Sequence, residues 1–343
     1  MTLPSEKRIL LIAPKYFGYD RVIGQALRDT GVDVIELPDR PFDSALLKAI
    51  TRFRPELTRG YADRYYAESV DRIQGDVDQI LVIQGEAISV AMLRSFRSRF
   101  PRARLVFYSW DSLRQKPYAR KKLDAFDAGF TFDESDALSF GLNFRPLFFS
   151  PGFQREAIPD FRYELSFVGT IHADRYSILR CIDSQLDAAD RRYWYMYMQA
   201  PWMYWARRLM TRTVTGARQS DFSFQPLSQR QVQDVFLSSR AVLDIEHPRQ
   251  TGLTMRTLEA LGSGTKLVTT NSAVRQCDFY NSNNICIIDR HRPVLPRDFL
   301  HRDYEPLPTP VYERYSLGRW LREVCGDVVS QGATPPLGDK SVI

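Results

Sequence analysis

The chain predicts an α/β protein built of two Rossmann-like, doubly wound domains facing each other across a cleft. Three observations carry that expectation. Short apolar runs alternate with amphipathic stretches along most of the chain, the pattern of parallel strands joined by crossover helices. The alternation pauses at Ser150-Pro151-Gly152 and then restarts, and a Pro-Gly turn is a natural domain boundary. The chain has 343 residues, enough for two cores rather than one. The expected division is residues 1–150, residues 151–310, and a helix over 311–330 crossing back towards the first domain.

In the first half, residues 8–13 read as a buried strand, followed by a loop containing Phe17-Gly18-Tyr19, a helix to Asp29, a glycine stop at Gly31 and a second strand over 32–36. Helical stretches cover 44–53 and 62–74. A strand over 79–83 ends in Gln84-Gly85-Glu86, and a helix over 90–100 leads to a strand over 104–109 that ends in Trp110-Asp111-Ser112. A basic helix over 114–123 and a strand over 128–132 complete the half.

In the second half, a strand over 164–168 opens into Gly169-Thr170-Ile171-His172, and Arg175 lies in the first turn of a helix over 174–187. A weakly alternating stretch over 193–198, a helix over 228–238, and strands over 241–245, 266–270 and 284–288 follow. A proline-rich connector over 306–310 precedes one amphipathic helix over 312–324. The polar residues after 332 read as a frayed end.

Composition narrows the class. Net charge is +6, with 39 arginines against 8 lysines. Arginine suits bidentate recognition of phosphate or carboxylate. No compact basic tract or nucleic-acid motif is present, so nucleic acid is not an expected partner. The four cysteines are scattered, without metal-ligand spacing, and read as reduced thiols with no metal site. No apolar run reaches the ~20 residues of a membrane span, and residues 1–6 do not resemble a signal peptide. The expected location is the cytoplasm, with room for peripheral contact with the inner membrane.

The most informative stretch is His247 to Gly264, between two apolar strands. Its order is strand, polar loop, helix, glycine stop, strand. Ligands of open α/β sheets sit at the carboxyl ends of strands, where helices begin. The first helical turn offers N–H groups and a positive dipole end that suit a phosphate. Gly252 permits close backbone approach, Thr254 is a helix cap, and Leu253 sits between them. Arg256 and Glu259 share a helix face. An arginine for a diphosphate and a carboxylate for a ribose diol fit a nucleotide-sugar, although the same spacing also suits a surface ion pair. The Gly169–Thr170 turn is a second phosphate candidate, with Arg175 as an added cation and His172 and His247 beside the two loops. Asp111 fits either a helix cap or a general base for an acceptor hydroxyl. Glu86 is its rival for the base role, and Phe17, Gly18 and Tyr19 occupy an equivalent strand end.

Residues 193–208 are unusually aromatic, with Arg207 and Arg208 at the end. Core packing explains them, and so does a water–lipid interface. The arginines at 94, 97, 99, 102 and 104 fit a solvated face or a membrane-facing patch.

The segments Tyr108-Ser109-Trp110-Asp111-Ser112, Asp127 through Asp133, Arg145-Pro146-Leu147-Phe148, Ser166-Phe167-Val168-Gly169-Thr170 and Arg256 through Gly264 together resemble bacterial glycosyltransferases of the GT-B type. The likeness is closest to the CgeB-like group and enzymes of capsular and lipopolysaccharide assembly. The resemblance implies a donor-binding C-terminal domain, an acceptor-binding N-terminal domain, and metal-independent sugar transfer with the nucleotide-sugar as substrate and no further cofactor. The implied acceptor is a glycan or a lipid-linked glycan of surface polysaccharide assembly. Many retaining relatives carry two glutamates eight positions apart. Glu259 matches the second, and Thr251 stands at the first. A non-catalytic nucleotide- or sugar-binding module of the same fold is the alternative.

Overall fold

The computed structural model describes residues 7–42, 55–156, 160–211, 213–248 and 252–329. The helix expected over 44–53, Thr251 and the tail after 332 lie outside the described residues. The chain divides into two units, Met1–Pro146 with Leu317–Ile343, and Leu147–Ser316.

The first unit holds a six-stranded sheet of β1 (Arg8–Ala13), β2 (Asp33–Pro38), β3 (Gln79–Ile83), β4 (Arg104–Ser109), β5 (Ala128–Thr131) and β6 (Asn143–Phe144). Its order is β2-β1-β3-β4-β5-β6, and every pair is parallel. All five residues of β3 are buried. That burial explains its continuous apolar run, because helices cover both faces of a parallel sheet. Ile80, Val82, Leu10 and Ile12 pack with Tyr66, Phe96 and Leu93 in one core.

The second unit holds β7 (Tyr163–Thr170), β8 (Arg192–Tyr197), β9 (Ser239–Asp244), β10 (Lys266–Thr269) and β11 (Ile285–Ile287). The order is β11-β10-β9-β7-β8, again all parallel. Leu165, Phe167, Leu243 and Val268 share its core with Leu179 and Ile182 of the helix Arg175–Asp183.

Counted along the chain, both sheets start with the doubly wound order 2-1-3-4-5, and the first adds one strand at its edge. The direction of winding reverses between the first and third strands of each unit. Ligands of such sheets bind at the carboxyl ends of strands beside that reversal. In the second unit the reversal lies between β7 and β9. Gly169 and Thr170, expected as a turn, are the last two residues of β7, held by pairing with Met196 and Tyr197 of β8, and the loop after β9 leads to Gly252.

Two helices differ from expectation. The stretch 114–123 is broken into the short turns Leu113–Gln115, Pro117–Arg120 and Leu123–Ala125. Pro117 disfavours helical geometry at the residue before it, and Lys116 sits at φ −126°, ψ 63°. The single helix expected over 312–324 is two, Thr309–Arg314 and Leu317–Cys325. Phe149 N–H donates to the Tyr315 carbonyl at 2.9 Å, so residues 315–316 pair with an extended segment instead of continuing a helix. Beyond that break Trp320 is fully buried, its ring 4.7 Å from that of Tyr108.

Candidate functional site

At the β7/β9 reversal, short hydrogen bonds tie the loops together. Asp244, the last residue of β9, is fully buried. Its Oδ1 accepts from Arg256 Nη1 at 2.6 Å, and its Oδ2 accepts from the hydroxyls of Thr254 at 2.6 Å and Thr257 at 2.9 Å. Arg256 Nε also donates to the Val168 carbonyl at 2.9 Å. One carboxylate therefore seats the first turn of the helix Met255–Gly262 against two strands. Thr254 caps that helix by accepting from the Thr257 N–H at 3.2 Å.

Gly169 leaves room for this arrangement. A Cβ there would stand 3.0 Å from Phe167 Cζ and 3.2 Å from Arg256 Nη2. A side chain would press on the Arg256 guanidinium and the Phe167 ring.

Arg175 links the two loops from beneath. It is buried, and it donates from Nε to the Ile245 carbonyl at 2.5 Å and from Nη1 to the Thr170 carbonyl at 2.8 Å. His172 and His247 face each other with ring centroids 5.1 Å apart. His172 Nδ1 is buried without a hydrogen-bond partner among the described residues. Burial, reinforced by Arg175, His247, Arg207 and Arg256, pulls the His172 pKa down to about 3, so it is neutral near pH 7.

A further cation joins from the loop after β11. Arg290 Nη1 contacts both carboxylate oxygens of Asp174 at 2.7 and 2.9 Å, and Nη2 contacts Glu246 Oε1 at 2.6 Å. Asn271 Nδ2 donates to the Gly252 carbonyl at 3.2 Å, which fixes the turn before Leu253. Glu259 is buried on the inner side of its helix. The region thus brings Gly169, Thr170, Arg175, Thr254 and Arg256 together, with His172 against His247 and Gly252 tied to Asn271. Asp244, Glu246, Asn271 and Arg290 escaped the sequence reading. Asp244 looked like one more strand residue, although a carboxylate closing an apolar strand was the available signal.

In the first unit, Asp111 has a half-exposed side chain, 3.5 Å from Lys116 Nζ. Ser112, not Asp111, stands at the start of the next turn, and no side chain caps it. Glu86 is paired with Lys116 and lies 3.6 Å from Arg40. Gln84 and Gly85 before it have φ of 70° and 64°, a left-handed pair that turns the strand end sharply. Phe17 and Gly18 also have positive φ, and Phe17 is exposed. Tyr19 is buried with its ring 6.4 Å from Trp110.

Asp39 was missed by sequence reasoning. It follows β2, is fully buried, and its N–H donates to the Ala13 carbonyl at 2.9 Å. Burial, then the nearby charge of Glu86, pushes its pKa up to about 7 against the opposing pull of Lys122 and Arg40. Lys122 donates to the Gly85 carbonyl at 2.6 Å, and burial pulls its pKa down to about 8.

The arginines near 94–104, read as a solvated face or a membrane-facing patch, are partly neutralised. Arg97 pairs with Asp127 at 2.8 Å, Arg102 pairs with Asp76, and Arg99 donates to the Ile73 carbonyl.

No protein-family model and no curated protein sequence matches the chain. Solved structures do match its fold. HepE of Anabaena, solved in complex with UDP and glucose, superposes with a TM-score of 0.59 at 9% identity, over 93% of this chain and 98% of that one. A glycosyltransferase from Rickettsia africae gives 0.56 at 11% identity, over 96% and 100%. An α,α-trehalose 6-phosphate synthase from Burkholderia multivorans gives 0.56 at 11% identity, over 94% and 96%. The fold is GT-B: two parallel sheets of six and five strands with flanking helices.

Proposed function

We propose that the protein is a glycosyltransferase that moves a sugar from a nucleotide-sugar to a glycan or lipid-linked acceptor of bacterial surface polysaccharide assembly. The observation that carries the reading is the pair of loops at the β7/β9 reversal. There the end of β7 at Gly169–Thr170 and the capped helix Met255–Gly262 meet around arginines held by carbonyl and carboxylate partners. The solved relatives of the fold include HepE with UDP-glucose bound, which supports a nucleotide-sugar donor.

In this reading the diphosphate rests on the helix start at Leu253–Thr254, beside Gly169 and the outer edge of Arg256. Charge accumulates on the departing phosphate during transfer, and preorganised donors at that point lower the barrier. Arginine and the helix dipole supply the compensation without a metal. Arg175 is a positioning residue, because its guanidinium holds the Thr170 and Ile245 carbonyls. Glu259 serves the ribose. The first domain takes the acceptor, and Asp111 receives its hydroxyl proton. Asp111 suits that role better than Glu86, because its side chain is half-exposed and meets Lys116 only at 3.5 Å, whereas Glu86 is mostly buried between Lys116 and Arg40.

The test is binding first, chemistry second. Purified protein is melted with UDP, GDP, ADP and CDP, because a ligand that prefers the native state raises the melting temperature. One nucleoside diphosphate should stabilise the wild type. Leu253→Asp should abolish that stabilisation while leaving the ligand-free melting temperature unchanged or higher. A carboxylate at a helix start favours the helix yet repels a diphosphate. Release of nucleoside diphosphate from the matching sugar donor then establishes turnover. Nucleotide binding without any turnover, with or without acceptor glycans, would leave a binding module. Stabilisation that survives in Leu253→Asp would move the site elsewhere.

A further inference from the structure

The segment 201–211 stands apart from the donor loops in chemistry. It runs as the helix Pro201–Ala206 and the wider turn Arg207–Thr211. Tyr204 anchors it: the residue is buried, and its hydroxyl donates to the Ala217 carbonyl at 2.8 Å. The outward side is apolar. Trp202, Trp205, Leu209 and Met210 are 68%, 51%, 78% and 83% exposed. Trp202 and Trp205 follow the i, i+3 spacing of one helix face, and Leu209 and Met210 follow in the wider turn. Lone exposed apolar residues need no explanation, whereas a cluster of large ones marks an interaction surface.

Charge identifies the partner. Between residues 201 and 220 the sequence has four arginines and neither Asp nor Glu. Arg208 is exposed and lies over the rings of Trp205 and Tyr204, 6.0 Å from each centroid. The arginines at 97 and 102, by contrast, are tied to Asp127 and Asp76. A protein partner would commonly meet a mixed-charge rim. An exposed arginine beside two tryptophans and two long aliphatic side chains matches the interfacial zone of an anionic bilayer. Indole rings favour the headgroup level, and guanidinium groups bind phosphate. Among the described residues no helix is long and apolar enough to cross a membrane, so this contact is peripheral.

We infer that Trp202, Trp205, Leu209 and Met210, rimmed by Arg208, form a docking surface for an anionic lipid membrane. The inference is independent of the sugar-transfer reading, although the surface adjoins the donor loops: Arg207 is among the cations that act on His172.

The test is flotation of the full-length protein with phosphatidylcholine vesicles and with equimolar phosphatidylcholine and phosphatidylglycerol vesicles. Wild type should float with the anionic vesicles, and the bound fraction should fall as salt rises. Trp202→Ser with Leu209→Ser should weaken that binding about tenfold or more. Arg208→Gln should weaken it about fivefold on anionic vesicles only. Nucleotide-induced stabilisation, measured in parallel, should be unchanged in all variants, which separates this surface from the donor site and reports folding. Undiminished flotation of the double variant would overturn the inference. So would a wild type that ignores both vesicles, or one that forms a dimer by light scattering which the double variant dissolves.

Discussion

The two sheets present their strand ends in the same winding order, yet the chemistry at those ends differs. At the first sheet, carboxylates and cations interleave: Asp39 and Glu86 stand among Lys116, Lys122 and Arg40. Burial pushes the Asp39 pKa up to about 7 and pulls the Lys122 pKa down to about 8. At the second, arginines gather about the loops, each held by carboxylates or carbonyls. Asp244 holds Arg256, Asp174 and Glu246 hold Arg290, and His172 is neutral within a cationic field. A shared topology therefore offers two equivalent crevices, and the residues at the strand ends decide which one suits an anion.

The sharpest way to break this contrast is to remove the carboxylate under the second edge. Asp244→Ala strips Arg256 of its buried partner and both threonine hydroxyls of their acceptor. Removing one member of a buried ion pair costs about 3–5 kcal/mol. A urea melt should show that loss, and nucleoside diphosphates should no longer raise the melting temperature. Near-native stability would mean that Asp244 does not organise the edge.

The converse test concerns the first edge. Asp39 has a folded-state pKa raised from 3.8 to about 7. Between those values the unfolded chain releases the proton while the folded chain retains it. The native state therefore loses stability as pH rises from about 4 to about 7. Asp39→Asn removes that penalty, with Glu86, Lys122 and Arg40 left in place. Its advantage over wild type should be small at pH 4 and on the order of 2–4 kcal/mol at pH 8. Parallel urea titrations of the two proteins would show it, and a difference that does not vary with pH would refute the assignment.

A smaller effect tests the packing between the loops. In Gly169→Ala the new methyl meets the Phe167 ring and the free edge of Arg256. Overpacking of this kind costs about 1–3 kcal/mol. The melting temperature should fall, and affinity for the diphosphate, measured by calorimetry, should fall with it. An unchanged affinity would place the ligand away from Arg256.

Much of the fold was legible because period and burial agree. The run at 79–83 is apolar at every central position and is buried at every position. The Thr254 cap and the helix after it follow from a threonine placed before an apolar-periodic segment. Two helix breaks were not legible from the apolar pattern. At Ser316 an interaction with the distant residue Phe149 overrides local periodicity. At Lys116 the following proline does so. The loop before Thr254 was legible from glycine and polar residues between strands, whereas the turn expected at Gly169–Thr170 is the end of β7. The partners that consume Arg175 and Arg256 were not, because a carbonyl or a carboxylate across a sheet leaves no local mark in the chain. Asp39 was hidden for the same reason. A lone aspartate after a strand reads as a turn residue until burial by distant helices reveals its cost.

The least of the expected effects also gives the two edges opposite signs. His172 has a folded-state pKa lowered from 6.5 to about 3. Between those values the unfolded chain takes up a proton that the folded chain refuses, so stability falls as pH drops from about 6.5 towards 3. Asp39 penalises the native state on the alkaline side, and His172 penalises it on the acid side. His172→Gln should therefore gain on wild type as the solution is acidified. The ring is partly open to solvent, so the gain is discounted to about 1 kcal/mol or less at pH 5. Urea melts of the two proteins from pH 7.5 to pH 4.5 measure it. A curve parallel to wild type throughout would mean that the imidazole gains its proton in the folded state, and that the field around it is weaker than the arginines imply. Bound diphosphate supplies a second check, because an anion beside His172 raises its proton affinity. The acid sensitivity of wild type should therefore shrink when nucleotide is present, and the variant should show no such change.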